Sequence, residues 1–173
     1  MRAIVTRDLT LEPQTAAHAE QMFVTLSDPA IYEYENKPPQ SLEWLRERFT
    51  KLESRRSSDG TEQWLNWVIR LPTSELAGYV QATVHANGHA AIAYELSSAH
   101  WGRGLARQAV QAMIKDLVEH YHVKLLTAVL KRANQRSRRL LERLAFALAS
   151  PELYAKYDVE PGELLMWREV SDT

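Results

Sequence analysis

Two glycines, Gly102 and Gly104, stand between a strand-forming run and an apolar-periodic helix in the segment Ala91–Gln108, AIAYELSSAHWGRGLARQ. A strand that passes through a glycine turn into a helix presents backbone N–H groups that have no intrahelical acceptor. The aligned peptide dipoles add partial positive charge at the same place. A phosphate or pyrophosphate is the natural guest of such a turn. Glycine lets the backbone approach it closely, and Arg103 and Arg107 bring charge-assisted donors. Arg107 occupies the position where a dinucleotide fingerprint needs a third Gly or Ala, and no Gly-Lys-Ser/Thr is present. Both nucleotide motifs are thereby excluded. On its own, Gly-x-Gly is equally satisfied by a tight turn without a ligand.

A second segment, Ala133–Phe146 (ANQRSRRLLERLAF), has Asn134 placed to cap a helix and Ser137 about one turn further on. Leu140, Leu141 and Leu144 form its core-facing side. A capped amphipathic helix with a basic outer face satisfies the same pattern. The run Lys131–Arg143 holds six basic residues, but no aromatics are interleaved and the net charge of the chain is −1. Nucleic-acid binding is therefore not expected. His120 and His122 have the spacing of one strand face, yet no HExxH and no carboxylate cluster accompany them, so no metal is expected.

These residues need elements to hold them. Thr10–Pro13 reads as a short strand, Ala16–Leu26 as a helix and Leu42–Leu52 as a second helix capped by Ser41. Ser54–Gly60 reads as a polar loop. Strands follow at Trp64–Leu71, Leu76–His85 and His89–Leu96, the last two joined by Asn87-Gly88, a two-residue hairpin signal. Then come a helix (Leu105–Glu119), a strand (Val123–Leu130), a helix (Gln135–Leu144) and a strand (Leu164–Val170). An antiparallel meander that runs into β-α-β-α-β predicts an α/β (α+β) fold: a mixed sheet with helices on its faces. Trp64, Trp67 and Trp167 fall in strands and read as core; Trp44 is placed to line an acceptor pocket.

The length, 173 residues, suits one domain over 1–173. Composition, 45% hydrophobic and 25% charged, is that of a folded chain. Cysteine is absent, which removes disulfides, thiolate metal ligands and a cysteine nucleophile together. No signal-peptide h-region and no membrane-length apolar run are found, so a soluble cytoplasmic protein is the expectation.

Together the two segments resemble the acyl-CoA motif pair of the GNAT N-acetyltransferases. The first is similar to the strand–[Gln/Arg]-x-x-Gly-x-[Gly/Ala]–helix motif, with Trp101 on the first position and Gly104 and Ala106 on the last two. The second is similar to the Asn-x-x-Ser…Leu-Gly-Phe helix through Asn134, Ser137, Leu144 and Phe146, with Ala145 where Gly is usual. The N-terminal layout (LTLEPQTAAHAEQMFVTLSDPAIYEY, then LAGYVQATV) extends the resemblance to the RimJ/RimL-like branch over almost the whole chain. Where many relatives carry a tyrosine acid on the second helix, Leu141 stands here.

The resemblance implies a mostly antiparallel sheet of about six or seven strands with a V-shaped cleft for acetyl-CoA. Leu96 and Ser97 would meet the pantetheine amides. Trp101, Gly102, Arg103, Gly104, Leu105, Ala106 and Arg107 would hold the pyrophosphate. Asn134 and Ser137 would lie along the arm towards the thiol, and part of the basic helix face would meet the CoA 3′-phosphate. It implies direct transfer to an amine in a ternary complex, with a backbone N–H near Leu96 as oxyanion donor. Glu95 is the candidate base, Ser137 the first candidate acid, and Tyr154 and Tyr157 the next. Glu33 and Glu35 are candidates for a cationic substrate, with simple solvation the blander alternative. A CoA-binding sensor without catalysis is the rival reading. Dimers are common in this branch, so a homodimer is an open expectation.

Overall fold

The computed structural model describes residues 1–34 and 36–171. Its strands are β1 (Ile4–Val5), β2 (Thr10–Pro13), β3 (Glu62–Arg70), β4 (Leu76–His85), β5 (His89–Leu96), β6 (Leu125–Lys131), β7 (Ala147–Leu148) and β8 (Glu163–Glu169). Its α-helices are α1 (Ala19–Thr25), α2 (Leu42–Leu52), α3 (Leu105–Tyr121), α4 (Gln135–Arg143) and α5 (Pro151–Lys156). All eight strands form one sheet in the order β1-β2-β3-β4-β5-β6-β8-β7. The sheet exceeds the six or seven strands expected because β1 and β7 are two-residue edge strands, too short to show a period.

Strand alternation sends one set of side chains to each face of the sheet. Trp67, Ile69, Val80, Ala82, Ile92 and Leu96 pack with Leu105, Ala109, Met113 and Leu117 of α3 and Leu141 of α4. Val68 and Leu76 face the other way, against Ala19 and Met22 of α1 and Leu45 and Phe49 of α2. The sheet is thus covered on both faces. Ser41 caps α2 by accepting the Trp44 N–H at 3.0 Å.

Three local readings change. Between β4 and β5 the loop is Ala86–Gly88, and only Gly88 takes a positive φ, +81°. It is a three-residue hairpin, because Asn87 turns its Oδ1 to accept the His89 N–H at 3.0 Å and stays out of the left-handed region. Residues 16–18 form a tight 3-10 turn before α1 begins. His120 lies in the last turn of α3 and His122 ends that helix at φ +54°, so the two share no strand face.

The decisive feature is the β5–β6 pair. It is parallel and joined at three positions only, His89↔Leu125, Ala90↔Leu126 and Ala91↔Thr127. Beyond them β6 stays with β8, while β5 stays with β4 as far as Leu96. The strands therefore part, and the second half of β5 keeps an open backbone edge.

Candidate active site

The opening between the parted strands is lined by Ile92–Leu96 of β5 and Ala128–Leu130 of β6. Trp101 and Ala106 add to it at one end, and Asn134, Arg136, Ser137 and Leu141 at the α4 wall. At Gly78 of β4, φ is +154°, and a Cβ there would overlap the Glu95 carbonyl oxygen and stand 2.8 Å from Leu96 Cα. Only glycine lets β4 and β5 close up here. The Ser97 N–H donates to the Ala77 carbonyl at 2.9 Å. Glu95 C=O and Ser97 N–H thus face β4. By alternation the N–H and C=O groups of Ile92, Tyr94 and Leu96 face the opening.

After β5 the chain is strapped by Asp28, whose Oδ2 accepts the Ser98 N–H at 2.6 Å and the Ser97 hydroxyl at 3.3 Å. Hydrogen bonds from Ser98 hold this carboxyl below the usual range. Gly104, at φ +73°, is the left-handed N-cap of α3 and offers no capping side chain. A Cβ on it would touch nothing within 4 Å, so the glycine serves the backbone conformation rather than space. The amides of Leu105, Ala106 and Arg107 open the helix with no partner inside it. The Leu105 side chain is buried in the core, so only its backbone faces outward. Gly102 repeats the φ of +73°. Arg107 is exposed. Arg103 Nη1 lies 3.2 Å from His100 Nδ1, and His100 Nε2 lies 3.2 Å from Glu75 Oε1.

Trp101 has a definite task. Its indole N–H donates to the Leu96 carbonyl at 2.9 Å. The guanidinium of Arg136 lies over its ring, 3.5 Å from the centroid. The Trp101 side chain thus ties the motif turn to the end of β5 and holds a cation from α4 at the mouth of the cleft. The expectation that Leu96 and Ser97 both offer backbone edge to a ligand is corrected here. The Leu96 carbonyl is taken by Trp101 and the Ser97 amide by Ala77, which leaves the Leu96 N–H and the groups of Tyr94 and Ile92.

On the α4 wall, Asn134 Oδ1 accepts the Ser137 N–H at 3.1 Å and caps the helix. The Ser137 hydroxyl is 2.7 Å from Tyr94 Oη across the cleft. The Ser137 carbonyl, 3.3 Å from Tyr94 Oη, is a second and longer acceptor for the single phenol proton. Burial pushes the Tyr94 hydroxyl up to about 12. Leu141 is buried at 1% exposure and brings no polar group to the cleft. Tyr94 brings a phenol to α4 from the facing strand. Sequence reasoning missed it, although period-two alternation from Leu96 puts Tyr94 on the cleft edge. Arg136 was missed for a different reason: nothing in a run of arginines marks the one that stacks.

Glu95 points to the opposite face of the sheet. Its Oε2 accepts from Tyr79 at 3.1 Å and its Oε1 from Asn36 Nδ2 at 3.0 Å. Burial, then the charge on Glu95, raises the Tyr79 hydroxyl well above its ordinary value. Glu95, Tyr79 and Asn36 line both the cleft and a second groove beside α2. Tyr154 is not brought to the cleft. It lies on α5, and its hydroxyl accepts the Leu165 N–H at 3.0 Å. Tyr157 packs against His89, 5.0 Å between ring centroids, away from the opening. Glu33 lines neither groove, and Glu35 lies outside the described residues. Trp67 is fully buried, Trp64 and Trp167 are half-buried, and Trp44 lines the second groove.

Residues 8–147 match the family described as acetyltransferase (GNAT) domain. The chain belongs to the GNAT acetyltransferase family and is an acetyltransferase by that membership. It is 26% identical over 167 residues to the uncharacterized N-acetyltransferase p20 of Bacillus licheniformis, covering 95% of this chain and 92% of that protein. Its fold is similar to that of RimL, a ribosomal L7/L12 α-N-protein acetyltransferase solved in complex with coenzyme A. There the TM-score is 0.81 at 19% identity, over 97% of this chain and 98% of that one. It is similar also to the ribosomal-protein-S5-alanine acetyltransferase of Vibrio fischeri, with TM-score 0.79 at 16% identity over 98% and 97% of the two chains. At these identities the likeness is one of fold. Among the described residues no helix is long and apolar enough to cross a membrane.

Proposed function

We propose that this chain transfers an acetyl group from acetyl-CoA directly to a primary amine. The observation that carries the reading is the junction at Glu95: the parted-strand cleft and the groove beside α2 meet there, sharing Asn36, Tyr79 and Glu95. Two ligands that enter from opposite sides of the sheet would meet at one point.

The cleft fits acetyl-CoA. Unpartnered amides of Leu105, Ala106 and Arg107 suit a pyrophosphate, supported by Gly102, Gly104 and the cations of Arg103, Arg107 and Arg136. The open edge at Tyr94 and Ile92 suits the amides of the pantetheine arm, and Asn134 keeps its Nδ2 for the same arm. The bound thioester supplies an activated acetyl group. The Leu96 N–H faces the opening without a partner on β4 and is the donor for charge that develops on a carbonyl oxygen. Ser137, backed by Tyr94, is the donor for the departing sulfur.

At the other side Glu95 holds the amine and takes its proton, directly or through water. The amine must be neutral to attack. For a lysine of pKa about 10.4 that costs about 4.6 kcal/mol at pH 7, and for an α-amine of pKa about 8 only about 1.4 kcal/mol. An α-amine, the group named for the RimL relative, makes the smaller demand on one carboxylate that two donors already hold.

The test is thermal unfolding with acetyl-CoA, NAD and ATP, followed by thiol release with amines. Ligand at about 100 times its Kd stabilises by about 2.7 kcal/mol, a Tm rise of about 5–10 °C at this size. A rise with acetyl-CoA alone, and turnover with an amine, is expected. No rise at millimolar acetyl-CoA refutes the reading. A rise without turnover on any amine makes the chain a CoA-binding sensor.

A further inference from the structure

From Glu95 a groove runs across the sheet face that carries α2, and register fixes its floor. Val68, Tyr79 and Glu95 are cross-strand partners. Two residues along come Asn66, Gln81 and Ala93, and two further Trp64, Thr83 and Ala91. Each step of two residues is about 7 Å along the strands. The floor next to Glu95 is therefore carboxamide, then hydroxyl and indole. One wall is α2, where Trp44, Arg48 and Lys51 recur at helical spacing and form one stripe.

Two observations make this a built site. Gln14 and Asn66 line the groove at 3% and 5% exposure, yet neither side-chain carboxamide makes a hydrogen bond among the described residues. The amide atoms of both are open to the groove rather than sealed in the core, so two carboxamides that face the same space are free to pair with a polar occupant. Charge is also segregated. Among the described lining residues Glu95 is the single carboxylate, at the cofactor end, while Lys37, Arg48 and Lys51 are the cations. Neither Arg48 nor Lys51 has an ion-pair partner among the described residues; each lies only beside a tryptophan ring.

We propose that the acceptor is an acidic peptide or protein N-terminus. Its α-amine sits at Glu95, its backbone is bonded by Gln14, Asn66 and Gln81, and a carboxylate among its second to fourth residues meets Arg48 and Lys51. This rests on the reading that transfer occurs at the Glu95 junction. The lengths agree: an extended chain advances about 3.3 Å per residue, so the Asn66 and Trp64 rows lie opposite the third and fifth residues. A carboxamide offers both a donor and an acceptor, which is what a peptide backbone requires. A polyamine would set its second cation against three others.

The experiment uses the full chain, acetyl-CoA and three synthetic hexapeptides with N-terminal alanine, whose residues two to four are acidic, glutamine or lysine. The acidic peptide should exceed the glutamine peptide about tenfold in kcat/KM, and the lysine peptide by more. The double substitution Arg48→Glu, Lys51→Glu should reverse the order. Asn66→Leu should raise the peptide KM several-fold. Equal rates on the three peptides, preference for lysine, or transfer to small polyamines alone overturns the acidic-terminus inference and leaves acetyl transfer standing. Transfer to no peptide and no small amine overturns the transfer reading itself.

Discussion

Replacing Tyr94 by Phe removes one oxygen and keeps the ring that packs in the core. The lost contacts are those to Ser137 Oγ at 2.7 Å and to the Ser137 carbonyl at 3.3 Å. The stability cost should be about 1 kcal/mol, or about 2–4 °C in Tm. The catalytic cost follows from the proton affinity. Burial pushes the Tyr94 hydroxyl up to about 12, whereas a thiol titrates near 8.5. Full proton transfer to a departing thiolate would then run uphill by about 5 kcal/mol. On the proposed reading the pair acts instead by hydrogen bonding, Tyr94 to Ser137 and Ser137 to sulfur. A hydrogen bond to a charged group contributes about 1.5–3 kcal/mol, so kcat should fall about 10- to 100-fold. Because Tyr94 acts through Ser137, the double variant with Ser137→Ala should be no worse than Ser137→Ala alone. Thiol release at saturating substrates measures this, and the KM for acetyl-CoA should change little. Full kcat in Tyr94→Phe, or multiplicative losses in the double variant, would refute the reasoning.

Two further outcomes concern the frame around the site. Ala145 sits at φ +61°; Ala145→Gly should stabilise by about 1 kcal/mol, read as a higher urea midpoint at unchanged m. An unchanged midpoint would mean that the position is not strained. His89 is nearly buried, with Nε2 2.7 Å from Thr127 Oγ1, and its pKa is lowered to about 4, chiefly by burial and next by His85. The unfolded chain binds this proton from about pH 6.5 downward. Its stabilising contribution is therefore complete above pH 6.5 and is lost as pH falls from there to about 4, by about 3 kcal/mol. His89→Gln should flatten Tm against pH across that window; parallel curves for the two proteins would exclude the assignment.

The meander and the β-α-β-α-β half were legible because long strands and helices carry their period in the residues themselves. β4, β5 and α2 fall at the expected bounds. β1, β7 and α5 were not legible, since two to six residues hold too few repeats of either period. The helix starts at Gly104 and Asn134 were legible because their parts are local ones: a left-handed cap and a capped first turn. Such roles depend on near neighbours in sequence. Tyr94, Arg136 and the groove beside α2 were not, because each depends on a contact between residues far apart in the chain, as in the 43-residue separation of Tyr94 and Ser137.

Local sequence set the element order, the glycine turn before α3, the capped start of α4 and the place of Glu95 on β5. Those follow from periodicity, backbone preference and capping, all of which act within about a turn or a strand. Packing over long range set the rest: β5 and β6 part after three pairs, Trp101 takes the Leu96 carbonyl, the Tyr94 hydroxyl reaches Ser137 from the facing strand, and Tyr154 stays away from the cleft. Strand register and packing between distant segments set these positions, and no local pattern encodes a distance across the sheet.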